Sequence, residues 1–290
     1  MTNKVYPPVE LSSVMAPVLV REDTKIFNYP VKSSSGMGFD IYLRSMESLY
    51  NPGVVPPYTF IVPLDNAFDN YIYPAAQGYD FPEMLRFEYD SEFQTVRAIR
   101  YEYDVTTGAK GAMISPSSEA IYASTELGKI HDVVKVYLSE MMDYHIIVGE
   151  LKPDQEYYQT KGKGFIRAIY DQATDSYTFY GGGNMEQNQK WSPSKSQTDE
   201  AYASKTTESI DFENGTTIFI DKVMQQPLTS VYGKMKNVPQ FSAFLETMTK
   251  MPDFFIKTSG SGGSQWNAVD FFLSLFTAFH YTVYAPNNEA

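Results

Sequence analysis

The chain has 290 residues, enough for one large domain or two ordinary ones, and its 43% hydrophobic and 15% aromatic content supplies a packed core. A formal net charge of −12 argues against nucleic acid as a partner, because phosphate binding needs a basic face. Cysteine is absent, which excludes disulfides, a thiolate nucleophile and Cys-ligated metal sites without fixing the compartment.

The 23 Tyr and 19 Phe favour β-structure or a surface built for contact. The longest apolar run, Phe271 to Phe279, is too short to span a membrane, so no transmembrane segment is expected. Met1 to Pro8 has no apolar signal-peptide core, which leaves a cytosolic protein or an interior piece of a longer exported chain.

Residues 1–35 carry four prolines and end in Ser33-Ser34-Ser35-Gly36, a loop signal; within them Val14 to Val20 reads as one strand. From Gly38 to Tyr50, Phe39, Tyr42, Leu43, Met46 and Leu49 recur at helical spacing, and Asn51-Pro52-Gly53 stops that helix. Tyr58 to Val62 reads as a short buried strand ended by Pro63. Asp65 to Tyr71 then predicts one or two helical turns with acidic residues near the positive end. Residues 87–123 alternate aromatic, polar and Gly/Ser/Pro clusters, which predicts strands or an insertion.

Ser124-Thr125-Glu126-Leu127 opens the strongest helical pattern, with Leu127, Ile130, Val133, Val134, Tyr137, Leu138 and Met141 on one face. That helix leads into Tyr144-His145 and an apolar run closed by Gly149. Gly164 to Ala168 and Ser176 to Tyr180 predict strands joined by a turn at 171–175, and the polar, Gly-rich stretch from Gly181 to Ser204 predicts a loop. Glu208 to Phe212 and Thr216 to Val223 flank Glu213-Asn214-Gly215, a tight-hairpin signal. After Pro227 the pattern turns helical around Pro239. Thr258 to Ser264 reads as a linker, and Val269 to Phe279 as an apolar helix.

The end of the chain repeats an earlier stretch. Tyr281-Thr282-Val283-Tyr284-Ala285-Pro286-Asn287-Asn288-Glu289-Ala290 follows the pattern of Tyr58-Thr59-Phe60-Ile61-Val62-Pro63-Leu64-Asp65-Asn66-Ala67, and each follows an amphipathic helical pattern. Repetition at so long an interval implies tandem domains, the second incomplete.

Three stretches in order, Thr59 to Phe68, Tyr144 to Gly149 and Asn214 to Val223, resemble the hallmarks of the fasciclin domain family. These are a Thr-Val-Phe-Ala-Pro-like strand before a short helix, a Tyr-His-like pair before an apolar strand, and an Asn-Gly hairpin leading to an apolar-Asp-apolar strand. Pro227 to Met248 resembles the helices that begin a following domain. Leu64 departs from the family's helix-capping Thr or Ser, whereas Asn287 keeps a capping residue. The long gaps between hallmarks place insertions within 72–123 and 152–207.

The resemblance implies an α+β chain: a fasciclin-like β-sandwich or roll with packed helices over 36–226, preceded by an extension or the end of another domain over 1–35. A second, truncated copy would occupy 227–290. It implies a non-enzymatic adhesion or scaffold module at a bacterial cell surface, acting through surface contacts of tandem domains on protein or glycan. No cofactor is implied.

The chemistry-bearing residues are read against that background. His145 lacks a nucleophile motif around it and is expected to be buried and hydrogen-bonded; Tyr144 and His145 are the candidate fold or partner motif. Asp65, Asp69 and the Glu88-Tyr89-Asp90-Ser91-Glu92 run match no calcium-loop spacing, so no metal site is expected. Gly181-Gly182-Gly183-Asn184 lacks the Lys-Ser/Thr of a phosphate loop. Asn214-Gly215-Thr216 is formally a glycosylation sequon that its hairpin role explains. Asp221, within an apolar strand, is expected to be a half-buried fold determinant. Tyr157, Tyr158, Tyr177, Phe179 and Tyr180 are candidate contact aromatics for a sugar or protein partner, the second reading being a glycan- or small-ligand-binding module with an aromatic-lined cleft, against the alternative that they fill the two faces of a sheet.

Overall fold

The computed structural model describes residues 14, 18, 20–31, 57–72, 83–104, 106–114, 121–122, 132–191, 202–212, 214–228, 235, 238–250, 257–258, 271–272 and 283–290. The chain divides into two compact units, Met1–Ile72 with Glu83–Pro227, and Tyr73–Pro82 with Leu228–Ala290. The helix expected over 38–50 and the capped start of the helix at 124–127 lie outside the described residues.

The first unit is α+β and strand-rich. Its described helices are α1 (Lys25–Asn28), α2 (Asp132–Tyr144) and α3 (Gly182–Trp191). Its strands, in chain order, are β1 (Tyr58–Pro63), β2 (Tyr71–Ile72), β3 (Glu83–Asp90), β4 (Thr95–Tyr103), β5 (Lys110–Met113) and β6 (Ile121–Tyr122). They continue with β7 (Ile146–Val148), β8 (Tyr157–Gln159), β9 (Phe165–Asp171), β10 (Ser176–Gly181), β11 (Ser204–Phe212) and β12 (Gly215–Ile220).

Seven strands form one sheet in the order β7-β1-β12-β11-β10-β9-β8. Only β1 and β12 run parallel, Tyr58 facing Gly215 and Pro63 facing Ile220; the remaining pairs are antiparallel. The two ends nearly meet. Ile147 bridges Thr160 just beyond β8, and the Lys161 amide donates to the Ile146 carbonyl at 2.7 Å. Rolling the sheet in this way removes free edges and encloses a core of Ile61, Tyr144, Ile147, Tyr158, Ile166, Ala168, Phe179, Ile218, Ile220 and Met224. Each large apolar side chain buried there contributes about 1.5–3 kcal/mol. The region 152–207 therefore supplies three strands of the main sheet.

β1 and β12 are buried on both faces. Ile218 and Ile220 face the enclosed core, while Phe219 on the opposite face lies under the Arg21 guanidinium, whose carbon is 4.1 Å from the ring centroid. A second sheet, β2-β3-β4-β5 with β6 also on β4, fills much of the expected insertion over 72–123. Phe87 packs edge-on to Phe68 at 6.3 Å and against Tyr71 at 5.7 Å. Gln225 joins it to the 221–227 segment: its side chain accepts from the Ile72 amide at 2.9 Å and donates to the Ile72 carbonyl at 2.8 Å.

Four local expectations are corrected. The segment expected as a strand over Val14–Val20 is helical at Val18 and Val20, and Thr24 Oγ1 and Asn28 Nδ2 both donate to the Val18 carbonyl. The loop expected from Gly181 contains α3 instead. Its glycines permit backbone contact that a side chain would block: a Cβ would lie 2.2 Å from the Gln225 carbonyl oxygen at Gly181, and 2.2 Å from that of Gln226 at Gly183. Asn184 Oδ1 accepts from the amides of Gly181 and Gln225 and fixes the turn into the helix.

The third correction concerns Gly215, which is the first residue of β12 rather than part of the turn. Its φ is +139°, and a Cβ there would lie 1.8 Å from the Tyr58 carbonyl oxygen. The glycine is demanded by close parallel pairing with β1. The fourth lies in the second unit, where Phe271–Phe272, expected as helix, is a strand paired with Lys257–Thr258. Around Pro239 the predicted helix is present, as a 3-10 turn (Pro239–Phe241) running into α4 (Ser242–Thr249).

Candidate functional site

The three ordered sequence motifs become neighbours. They supply β1, β7 and β12, three adjacent strands of the main sheet, with β1 in the middle. Thr59 Oγ1 donates to the Gly149 carbonyl at 2.8 Å across β1 and β7, and Tyr58 N donates to the Asn214 carbonyl at 2.9 Å. Asn214 Oδ1 accepts from Val14 N at 3.0 Å, so its amide is buried and engaged, which explains the sequon as structure.

His145 is fully buried where α2 hands over to β7. Its Nδ1 lies 2.7 Å from the Met141 carbonyl oxygen, and its Nε2 accepts from the Met224 amide at 3.0 Å. Those two partners assign the neutral tautomer with the proton on Nδ1, since a carbonyl only accepts and an amide only donates. Burial pushes the imidazole pKa down to about 4, with the Met141 carbonyl pulling the other way. Phe27 and Tyr144 pack against the ring, each with centroids at 6.2 Å. A base with both nitrogens occupied and no access to solvent has no substrate to serve.

Tyr144 is equally committed. Its hydroxyl donates to the Phe165 carbonyl at 2.8 Å and accepts from the Gly182 amide at 3.0 Å, tying α2 to β9 and α3. Burial raises its pKa to about 12.

Asp65 and Asp221 also serve backbone. The Asp65 carboxylate accepts from Ile26 N at 2.9 Å and Lys25 N at 3.1 Å, capping α1 from across the fold; burial raises its pKa against those two hydrogen bonds. Asp221 Oδ1 accepts from Lys205 N at 2.7 Å. Leu64 stands before the 3-10 turn Asp65–Asp69 without a side-chain cap. Among the described residues no cluster of three or more His, Cys, Asp or Glu could hold a metal ion.

The structure divides the five candidate aromatics. Phe179 and Tyr158 lie in the enclosed core, and the Tyr158 hydroxyl binds the Lys152 amide at 2.7 Å. Tyr180 is buried on the opposite face, and Tyr177 packs on the core beside Phe179 and Tyr170. Tyr157 alone is open to solvent, at 53%. Beside it, at 59%, is Phe165, which lies outside the candidate set. Alternation along β9 was the available signal: Ile166 and Ala168 point inward, so Phe165 and Arg167 point outward. Tyr157 faces Arg167 across the strand pair and Gln159 faces Phe165, so the four share one outward surface.

A cleft of about 400 Å³ lies elsewhere, between Lys25, Asp65, Arg86 and Glu88. Its charges pair among themselves, Arg86 with Glu88 at 2.6 Å and Lys25 with Glu22 at 2.7 Å.

No family model matches the chain, and no curated protein does. Among solved structures it is similar to a FAS1 domain pair from the insect cell adhesion molecule fasciclin I. The identity is 13% and the TM-score 0.33, over 79% of this chain and 53% of that one. The chain thus spans about half the length of that structure. In itself the described fold is α+β and strand-rich, with a nearly closed sheet. No helix among the described residues is long and apolar enough to cross a membrane.

Proposed function

We propose that this chain is a fasciclin-like adhesion or scaffold module of a bacterial cell surface, working by surface contact and not by catalysis. The observation that carries the reading is the fate of the three motifs. They meet as β7, β1 and β12, and the polar groups of Tyr144, His145, Asn214 and Asp221 are spent on main-chain partners within the fold. The motifs then mark architecture, and recognition falls to the outer surface. Tandem copies would raise a weak contact to useful avidity by keeping the second site at high local concentration.

Beads coated with the intact chain test this. Clustering of the beads, or attachment to protein-coated surfaces beyond that of an acidic control protein of similar charge, is the expected result. Indifference to every protein surface refutes it.

Glycan binding is the second reading. It is favoured by exposed Tyr157 and Phe165 on one outward face, with Gln159 beside them and Arg167 on the same face paired with Glu156 at 2.8 Å. Retention on a glycan array, lost in a folded Tyr157→Ala/Phe165→Ala chain, selects this reading over protein adhesion.

A further inference from the structure

The two units share a hydrogen-bonded constellation that the repeated sequence alone does not contain. In the first unit, Asp65 N donates to the Asp23 carbonyl at 2.8 Å, and the Asp65 side chain accepts from Ile26 N at 2.9 Å. In the second, Asn288 N donates to the Gln240 carbonyl at 2.8 Å, and the Asn288 side chain accepts from Ala243 N at 3.0 Å. One step of 217 residues carries both helix-side partners, 23 to 240 and 26 to 243. One step of 223 carries the other side, 65 to 288, and also the following turn: Ala67 N donates to the Leu64 carbonyl, and Ala290 N to that of Asn287. Two constant steps over three pairs of bonds are not expected of unrelated contacts.

Packing follows the same steps. Val18 is fully buried and Met235, 217 residues on, is buried at the centre of the second unit's cluster. Phe27 is buried, and its counterpart Phe244 packs on Met235. On the strand side, Phe60 and Val62 correspond to Val283 and Ala285, which pack on that same cluster. Between them Ile61, sealed in the first unit's enclosed core, corresponds to Tyr284, which is 91% exposed. The alternation of β1 is preserved in which of these residues are covered and which exposed.

We infer that residues 21–28 and 238–245 are one structural element occurring twice, each tied by an Asx residue two positions after a proline, Asp65 after Pro63 at the end of β1 and Asn288 after Pro286. The first copy of the module therefore includes residues 21–28 with α1 (Lys25–Asn28), before the start at 36 that the sequence implies. The two copies differ in the length of chain between the partners. The helix amide and the Asx residue are 39 positions apart in the first and 45 in the second. The side chains are near-equivalents, Asp65 accepting twice and Asn288 accepting once while its Nδ2 donates to the Pro239 carbonyl at 2.9 Å.

Amide hydrogen exchange on the intact chain tests the correspondence. Asp65→Ala should speed exchange of the Ile26 amide about tenfold and leave Ala243 unchanged, and Asn288→Ala should do the reverse. The deciding variant is Asp65→Asn, which should hold the Ile26 rate within about threefold of wild type because asparagine performs this task in the second copy. An Ala243 amide indifferent to Asn288→Ala, or Asp65→Asn as disruptive as Asp65→Ala, would overturn the equivalence. If Asp65→Ala fails to fold, the other two variants still decide. The inference deepens the tandem-module reading, but these outcomes leave adhesion itself untouched, since no partner is involved.

Discussion

Acid should unlatch this fold at one histidine. In the native state His145 is neutral, held between the Met141 carbonyl and the Met224 amide, with its pKa lowered to about 4 by burial. In the unfolded chain it titrates near the ordinary 6.5, so between those values the unfolded state binds more protons. The contribution is therefore fully present above about pH 6.5 and is lost as pH falls towards 4. At about 1.4 kcal/mol per pH unit, the interval is worth roughly 3 kcal/mol, a large share of the ~5–15 kcal/mol that holds a domain together.

The informative comparison is His145→Gln. A glutamine amide donates and accepts at similar spacing but does not titrate in this range, so it cancels the background of carboxylates common to both chains. Urea unfolding followed by circular dichroism at steps from pH 7 to 4.5 should show the wild type losing stability faster than the variant, by about 2.5 kcal/mol. A constant difference between the two across that range would refute the latch. So would a folded-state imidazole resonance titrating near 6.5.

Gly215→Ala should destabilise by about 3 kcal/mol or more, visible as a large drop in melting temperature, because the new Cβ meets the Tyr58 carbonyl and φ is unfavourable. Tyr144→Phe should cost about 1–3 kcal/mol in urea unfolding, since it strands the Gly182 amide and the Phe165 carbonyl without the hydroxyl between them. Tyr157→Ala/Phe165→Ala should change stability by no more than about 1 kcal/mol by the same measurement, as both side chains are exposed.

Much of the strand pattern was legible, because a short apolar run bounded by Pro or Gly has few alternatives. Tyr58–Val62, the 164–180 pair and the hairpin between Phe212 and Gly215 are instances. What escaped was set by distant contacts. A helix over Gly182–Trp191 contradicts its own composition and exists because three glycines let the chain lie against 225–227. Gly215 reads as a turn residue until its parallel neighbour Tyr58 is known. His145 was legible as a junction residue, but its partner Met224 is 79 positions away and offers only a backbone amide, which leaves no trace in residue identity. The aromatic set was mixed for a simpler reason: alternation sends Tyr157 outward and Tyr158 inward, so one cluster in sequence is two surfaces in space.

Bead attachment by the folded His145→Gln chain asks most directly whether the Tyr144-His145 junction is architecture and recognition lies on the surface. Attachment equal to that of the wild type is predicted. Loss of attachment by a variant that keeps the native spectrum and a melting transition well above the assay temperature would contradict it and make the pair part of the partner interface.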